Sequence, residues 1–136
     1  MLKILIICSK AFYDRIPDIK NRLEANNHTI YLPNCYDNPG MEAEMRNLGK
    51  DEHSKFKAKM FKQSEDLINQ MDAVLVLNFN KNGIENYIGG ATFLEMYDAF
   101  RMNKKIFLYN SIPEGMLKDE IIGFNPILIN GDIEQL

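Results

Sequence analysis

The residues best placed for chemistry lie in one stretch, Gly89-Gly90-Ala91-Thr92-Phe93-Leu94-Glu95-Met96-Tyr97-Asp98-Ala99-Phe100. Glu95 stands there among mostly apolar neighbours: Phe93, Leu94, Met96, Ala99 and Phe100. Burying a lone carboxylate is costly unless the charge is used, and perturbed carboxylates beside a crevice mark functional sites. Gly89 and Gly90 permit a tight entry into a helix. The first turn of that helix has free backbone N–H groups, which suit a small anion.

Several elements must hold this helix in place. An apolar run, Ala73-Val74-Leu75-Val76-Leu77, precedes it across a polar loop from Asn78 to Tyr87. A second run, Ile106-Phe107-Leu108-Tyr109, follows it. Strand, glycine-containing turn, helix and strand make half of a parallel α/β unit, whose ligands bind beyond the carboxyl ends of the strands. Upstream, the sequence predicts a strand over 2–7, a helix over about 13–26 and a short strand over 29–32. Helices then follow over about 41–48 and 51–70. In the long helix Phe56, Met60, Ser64, Leu67 and Met71 repeat at the spacing of one face. Downstream, the pattern gives strand 105–109, a short helix over 113–122 and a last strand over 126–129. Five apolar strands alternating with helices predict one flavodoxin-like, doubly wound α/β domain over residues 1–136. Its sheet is mostly parallel, in order 2-1-3-4-5. The loops Ser9 to Tyr13 and Asn78 to Gly90 then face each other at the switch point, with Glu95 at the same crevice.

Composition narrows the function classes. Sixteen basic against nineteen acidic residues leave a formal charge of −3, which argues against a general binder of nucleic acid polymers. A small anionic ligand needs only a few aimed donors and stays allowed. No run approaches the length of a membrane span. The chain opens directly into a strand with no cleavage-site pattern, which suggests a cytoplasmic protein. Cys8 and Cys35 form neither a disulfide framework nor a CxxC zinc motif. His28 and His53 are single and far apart, so no metal site is expected. Lys55, Lys57, Lys59 and Lys62 read as the solvated side of the long helix.

Three pieces of sequence, with the overall layout, resemble the nucleoside 2-deoxyribosyltransferase superfamily, which includes deoxynucleoside-monophosphate N-glycosidases. They are Ile6-Ile7-Cys8-Ser9-Lys10, then Met71-Asp72-Ala73-Val74-Leu75-Val76-Leu77-Asn78, then Gly90-Ala91-Thr92-Phe93-Leu94-Glu95-Met96. The tail Asn125-Pro126-Ile127-Leu128-Ile129-Asn130-Gly131-Asp132 is similar to small members of the group. The resemblance implies that Glu95 is a nucleophile that attacks C1′ of a deoxyribose and forms a glycosyl-enzyme ester, the logic of a retaining glycosidase. It also implies that the Ser9 loop holds the 5′ end of a nucleoside or nucleotide, with Asn78, Gly89, Gly90 and Thr92 around the sugar. No cofactor is implied. The acid that transferases place on the helix before the third strand falls at Ser64 here, followed by Glu65 and Asp66. The acid shortly before the nucleophile is missing; Gly89 stands near its place, and Glu85 and Asn86 lie further back.

Each of these residues has a plainer reading as well. Glu95 could face solvent, Ser9 could be a turn former or cap, and Gly89-Gly90 could serve only the turn. Phe12 and Tyr13 could stack on a base or pack the first helix. The missing acids keep a rival open: a non-catalytic nucleotide-binding or sensor protein on the same fold. A flavin carrier fits less well, since the first loop lacks a Ser/Thr/Gly-rich phosphate cradle. Phe56, Met60, Phe61, Met96 and Phe100 exceed what one side of a small sheet hides, so a homodimer or higher homo-oligomer is expected.

Overall fold

A computed structural model describes residues 1–136. Its sheet has five parallel strands: β1 (Lys3–Cys8), β2 (Thr29–Tyr31), β3 (Ala73–Leu77), β4 (Lys105–Leu108) and β5 (Ile127–Leu128), in order β2-β1-β3-β4-β5. Every pairing is parallel, so the expected order holds and the sheet is parallel throughout.

Successive strand residues point to opposite faces, and the two cores follow that alternation. Ile4, Ile6, Cys8, Ala73, Leu75 and Leu77 face one side, beneath Ile16, Ile19 and Leu23 of helix α1 (Ile16–Ala25). Leu5, Ile7, Val74 and Val76 face the other. Three helices cover that second side: α3 (Lys50–Asn69) through Ile68, α4 (Gly90–Arg101) through Met96 and Ala99, and α5 (Lys118–Phe124) through Ile121. Burial on both faces explains why the central strands are uninterrupted apolar runs. A further helix, α2 (Met41–Leu48), lies before α3. Gly49 separates the two at φ 135°, a conformation that a side chain would strain.

Three boundaries differ from the sequence expectation. The first helical segment is split: a 3-10 turn spans Lys10–Arg15, and α1 starts only at Ile16. Pro17 stands in the first turn of α1, where its missing N–H costs no helical bond. The last strand shortens to two exposed residues, because Pro126 ahead of it has no donor for the ladder. The fifth helix begins at Lys118, preceded by turns rather than a helix from Pro113.

No helix is long and apolar enough to cross a membrane.

Candidate active site

Beyond the carboxyl ends of β1 and β3 lies a cleft of about 370 Å³. Cys8, Ser9, Lys10 and Tyr13 enter it from the end of β1 and the turn that follows. Asn34 and Cys35 come from the loop after β2, and Glu42 from α2. Phe56, Lys57, Met60 and Ser64 line it from α3. Lys81, Tyr87, Gly89, Gly90, Thr92 and Glu95 close it from the loop after β3 and from α4. This is where a doubly wound sheet leaves room, since chain connections depart in opposite directions at the switch point.

Glu95 lies on the inner side of α4, one turn before the buried Ala99. It keeps some contact with solvent through the cleft mouth, yet protein atoms surround its carboxylate densely. Burial raises its pKa from the ordinary 4.5 to about 7. A hydrogen bond from Ser64 opposes that rise, nearby Asp98 adds to it, and Lys57 works against it. Ser64 Oγ donates to Glu95 Oε2 at 3.1 Å, joining α3 to α4 across the cleft floor. Ser64 in turn accepts from Asn34 Nδ2 at 2.7 Å. Burial pushes the Cys8 thiol up to about 12, with Glu95 adding to the effect, and burial likewise raises Cys35 and Tyr13.

At the other wall, Ser9 caps the 3-10 turn, its Oγ accepting from Ala11 N at 3.3 Å. Lys81 Nζ reaches the same Oγ at 3.4 Å and lies 4.6 Å from the Tyr87 ring centroid. No carboxylate forms an ion pair with Lys81. The start of α4 has no side-chain cap, so its first backbone N–H groups are free at the cleft edge. A Cβ at Gly90 would meet nothing within 4 Å, and one at Gly89 would touch the Tyr87 hydroxyl at 3.4 Å, an ordinary contact. Crowding at the Cβ position thus demands glycine at neither residue.

Glu42 sits among Lys10, Arg46, Lys57 and a histidine. Its carboxylate pairs with His53 Nε2 at 2.9 Å, Arg46 at 3.2 Å, and Lys10 and Lys57 at 3.5 Å each. The hydrogen bond with His53, then the charges of Lys57, Lys10 and Arg46, hold its pKa down at about 2 against partial burial. Lys57 is thus half-buried on the cleft side, not on the solvated face that the lysine run suggested.

The structure brings Glu95, Ser9, Ser64, Gly89, Gly90 and Thr92 to one cleft. It places two expected contacts elsewhere. Phe12 is buried in the α1-side core, edge-on to Phe79 with centroids 5.4 Å apart, and Tyr13 takes its place at the cleft. The 3-10 turn, with its tighter pitch, turns Phe12 inward and Tyr13 out. Asn78 is fully buried and binds the loop after β4 instead of the cleft. The sequence reading also missed Asn34, Glu42, Lys10, Lys57 and Lys81. For Lys57 a signal existed: it stands four residues before Phe61 and seven before Ser64, the spacing of one helix face. Nothing local marked Asn34 or Glu42, which reach the cleft only through packing.

No family model matches the sequence, and no curated protein matches it either. Among solved structures the chain is similar to the CMP N-glycosidase BcmB of Clostridium botulinum. The two superpose with a TM-score of 0.54 over 97% of this chain and 93% of that one, at 16% identity. At that identity the likeness establishes a shared fold.

Proposed function

We propose that this protein cleaves the N-glycosidic bond of a deoxyribonucleoside or its 5′-monophosphate, with Glu95 as nucleophile. The observation that carries the reading is the Glu95 carboxylate itself. It is held by Ser64 on the floor of a cleft, at the crevice end of the sheet, with its pKa near 7. A carboxyl with a pKa near 7 is about half ionised at neutral pH, and its ionised form is less hydrated than that of a surface glutamate. In the proposed step its oxygen forms a bond to C1′ while the bond from C1′ to the base nitrogen breaks. The base leaves with that electron pair and takes a proton from water. Water then attacks C1′, releases the sugar or sugar phosphate, and restores the carboxylate. Fold likeness to an N-glycosidase acting on CMP supports the bond class.

The opposite wall supports an anionic 5′ group. Lys81 has no carboxylate partner, Ser9 stands beside it, and α4 offers uncapped N–H groups. Lys10 and Lys57 are already engaged by Glu42. No cofactor enters the proposed reaction.

One observation favours the rival, a nucleotide-binding or sensor protein. The only other carboxylate in the cleft, Glu42, is locked among three cations and His53 with its pKa near 2, so it is a poor proton donor to a departing base. Both readings go to the same test. Purified protein is incubated with the deoxynucleosides, their 5′-monophosphates and CMP, with and without an acceptor base, and free base is measured. Release by the wild type that is lost in Glu95→Gln supports the enzyme. Tight nucleotide binding with no release from any compound supports the sensor.

The oligomer reading shifts to a different surface. Met96 is fully buried, and Phe56 and Met60 line the cleft. Of the expected set, Phe61 and Phe100 are exposed, and Phe100 shares the outer face of α4 with exposed Leu94 and Tyr97, beside Phe124 of α5. We place a self-association surface there.

A further inference from the structure

Ser64 lies within a helix, where a serine hydroxyl commonly donates back to the carbonyl four residues earlier. That carbonyl is Met60 O, yet the Ser64 hydroxyl reaches across to Glu95 instead, at 3.1 Å. We infer that Asn34 is a positioning residue that commits the Ser64 proton to Glu95, so that only Glu95 Oε1 is free to react.

The direction of every bond in this chain follows from one group. Met60 O can only accept, and it lies 3.1 Å from the Asn34 amide nitrogen. The amide must therefore present its NH₂ and not its oxygen, because two acceptors would repel. One hydrogen of that NH₂ goes to Met60 O. The other goes to Ser64 Oγ at 2.7 Å. With Asn34 donating to it, Ser64 Oγ must send its own proton elsewhere. Met60 O already takes the helical N–H of Ser64 and the Asn34 amide, which fills its two lone-pair positions. The remaining acceptor within reach is Glu95 Oε2.

This arrangement has a functional consequence that rests on the nucleophile reading. A committed donor favours the ionised form of Glu95, offsetting part of the effect of burial. It also pins one carboxylate oxygen, which restricts attack to the other. The groups that face Glu95 from the surrounding elements are Cys8 on β1, Tyr13 on the 3-10 turn, Cys35 after β2, Lys57 on α3 and Asp98 one turn along α4. Cys8, Cys35 and Tyr13 have raised pKa values, so near neutral pH the charges that bear on Glu95 are Lys57 and Asp98. Neither is touched by changes at Asn34. Asn34 is itself exposed to solvent, so its replacement must keep water out of the vacated place. Leucine has nearly the shape of asparagine and no donor.

The test reads Glu95 directly and needs no turnover. The carboxyl carbon of Glu95 is followed by ¹³C NMR across pH in the unliganded protein, its resonance assigned through Glu95→Gln. Ser64→Ala removes the donor, and the midpoint should rise above that of the wild type. Asn34→Leu frees Met60 O for the Ser64 hydroxyl, and the midpoint should rise in the same direction. Ser64→Thr keeps a hydroxyl and should stay closest to the wild type. The double variant Asn34→Leu with Ser64→Ala should titrate like Ser64→Ala alone, since Asn34 acts only through the hydroxyl. An unmoved midpoint in Asn34→Leu, or a further shift in the double variant, overturns the inference. Should Asn34→Leu fail to give a folded spectrum, Asn34→Ala takes its place with the same readings. If the midpoints shift as stated but no base is ever released, the relay stands and the nucleophile reading fails.

Discussion

Asn78 and Asn110 clasp each other across the carboxyl ends of β3 and β4. Asn78 Oδ1 accepts from Asn110 N at 2.8 Å, and Asn110 Nδ2 donates to Asn78 O at 3.0 Å. The Asn78 amide also donates to Asn110 O at 3.3 Å and Ser111 O at 3.0 Å. A side chain that seemed a cleft residue is thus a rivet beneath the cleft. Asn78→Ala would strip Ser111 O and the half-buried Asn110 backbone of these partners and leave a gap at a fully buried position, and should lower stability by about 2–4 kcal/mol. Asn78→Asp should do comparable harm, because a carboxylate oxygen would face the Asn110 and Ser111 carbonyls. Urea unfolding of both variants checks this, and a loss under about 0.5 kcal/mol, the size typical of surface changes, would contradict the rivet.

The pKa of Glu95 makes both activity and stability depend on pH. A nucleophile must be ionised, so base release should climb about tenfold per pH unit below 7 and level off above it. A decline above pH 7 would instead assign Glu95 the role of an acid. For stability the sign is opposite. A carboxyl whose folded pKa lies above its ordinary 4.5 opposes folding once it is ionised. The wild type should therefore lose stability between about pH 4.5 and 7 relative to Glu95→Gln. The two should match near pH 4 and differ by on the order of 2 kcal/mol at pH 8, residual solvent contact reducing the full effect. Parallel denaturation curves at those two pH values measure the difference.

Glu42 behaves in the contrary way. Its folded pKa, about 2, lies below the ordinary 4.5, so its pairing stabilises the fold above pH 4.5 and fades as pH falls toward 2. Glu42→Gln should cost about 1–2 kcal/mol at pH 7 and almost nothing at pH 2, a discounted figure because the partner cations stay hydrated. The cost should shrink in high salt. An equal cost at both pH values would mean that the residue matters through packing and not charge.

The α4 surface gives a prediction about assembly. Light scattering at micromolar concentration should return at least twice the 15.8 kDa of one chain. Phe100→Glu, on a side chain 46% exposed, should return a single-chain mass with the fold intact. A wild-type mass of one chain would dispose of the surface as a self-association site.

What the sequence determined by itself was the sheet and the position of the carboxylate. Runs such as Ile4 to Ile7 and Ala73 to Leu77 are apolar without interruption, which only a strand buried on both faces requires. With helices between them, such strands have few ways to wind, so the order and the crevice follow. Glu95 was legible because its distance from Gly89-Gly90 along one helix is set by local geometry. The tertiary structure decided what stands around it. Whether Phe12 or Tyr13 enters the cleft depended on a 3-10 turn in place of an α-helix. Asn78 went to Asn110, more than thirty residues away, and Lys57 went to Glu42 on another helix. Asn34 reached Ser64 because the loop after β2 folds over α3. These are contacts between side chains far apart along the chain. Apart from the helix-face spacing of Lys57, local periodicity carries no trace of them, because they form only when packing of the two cores brings their elements together.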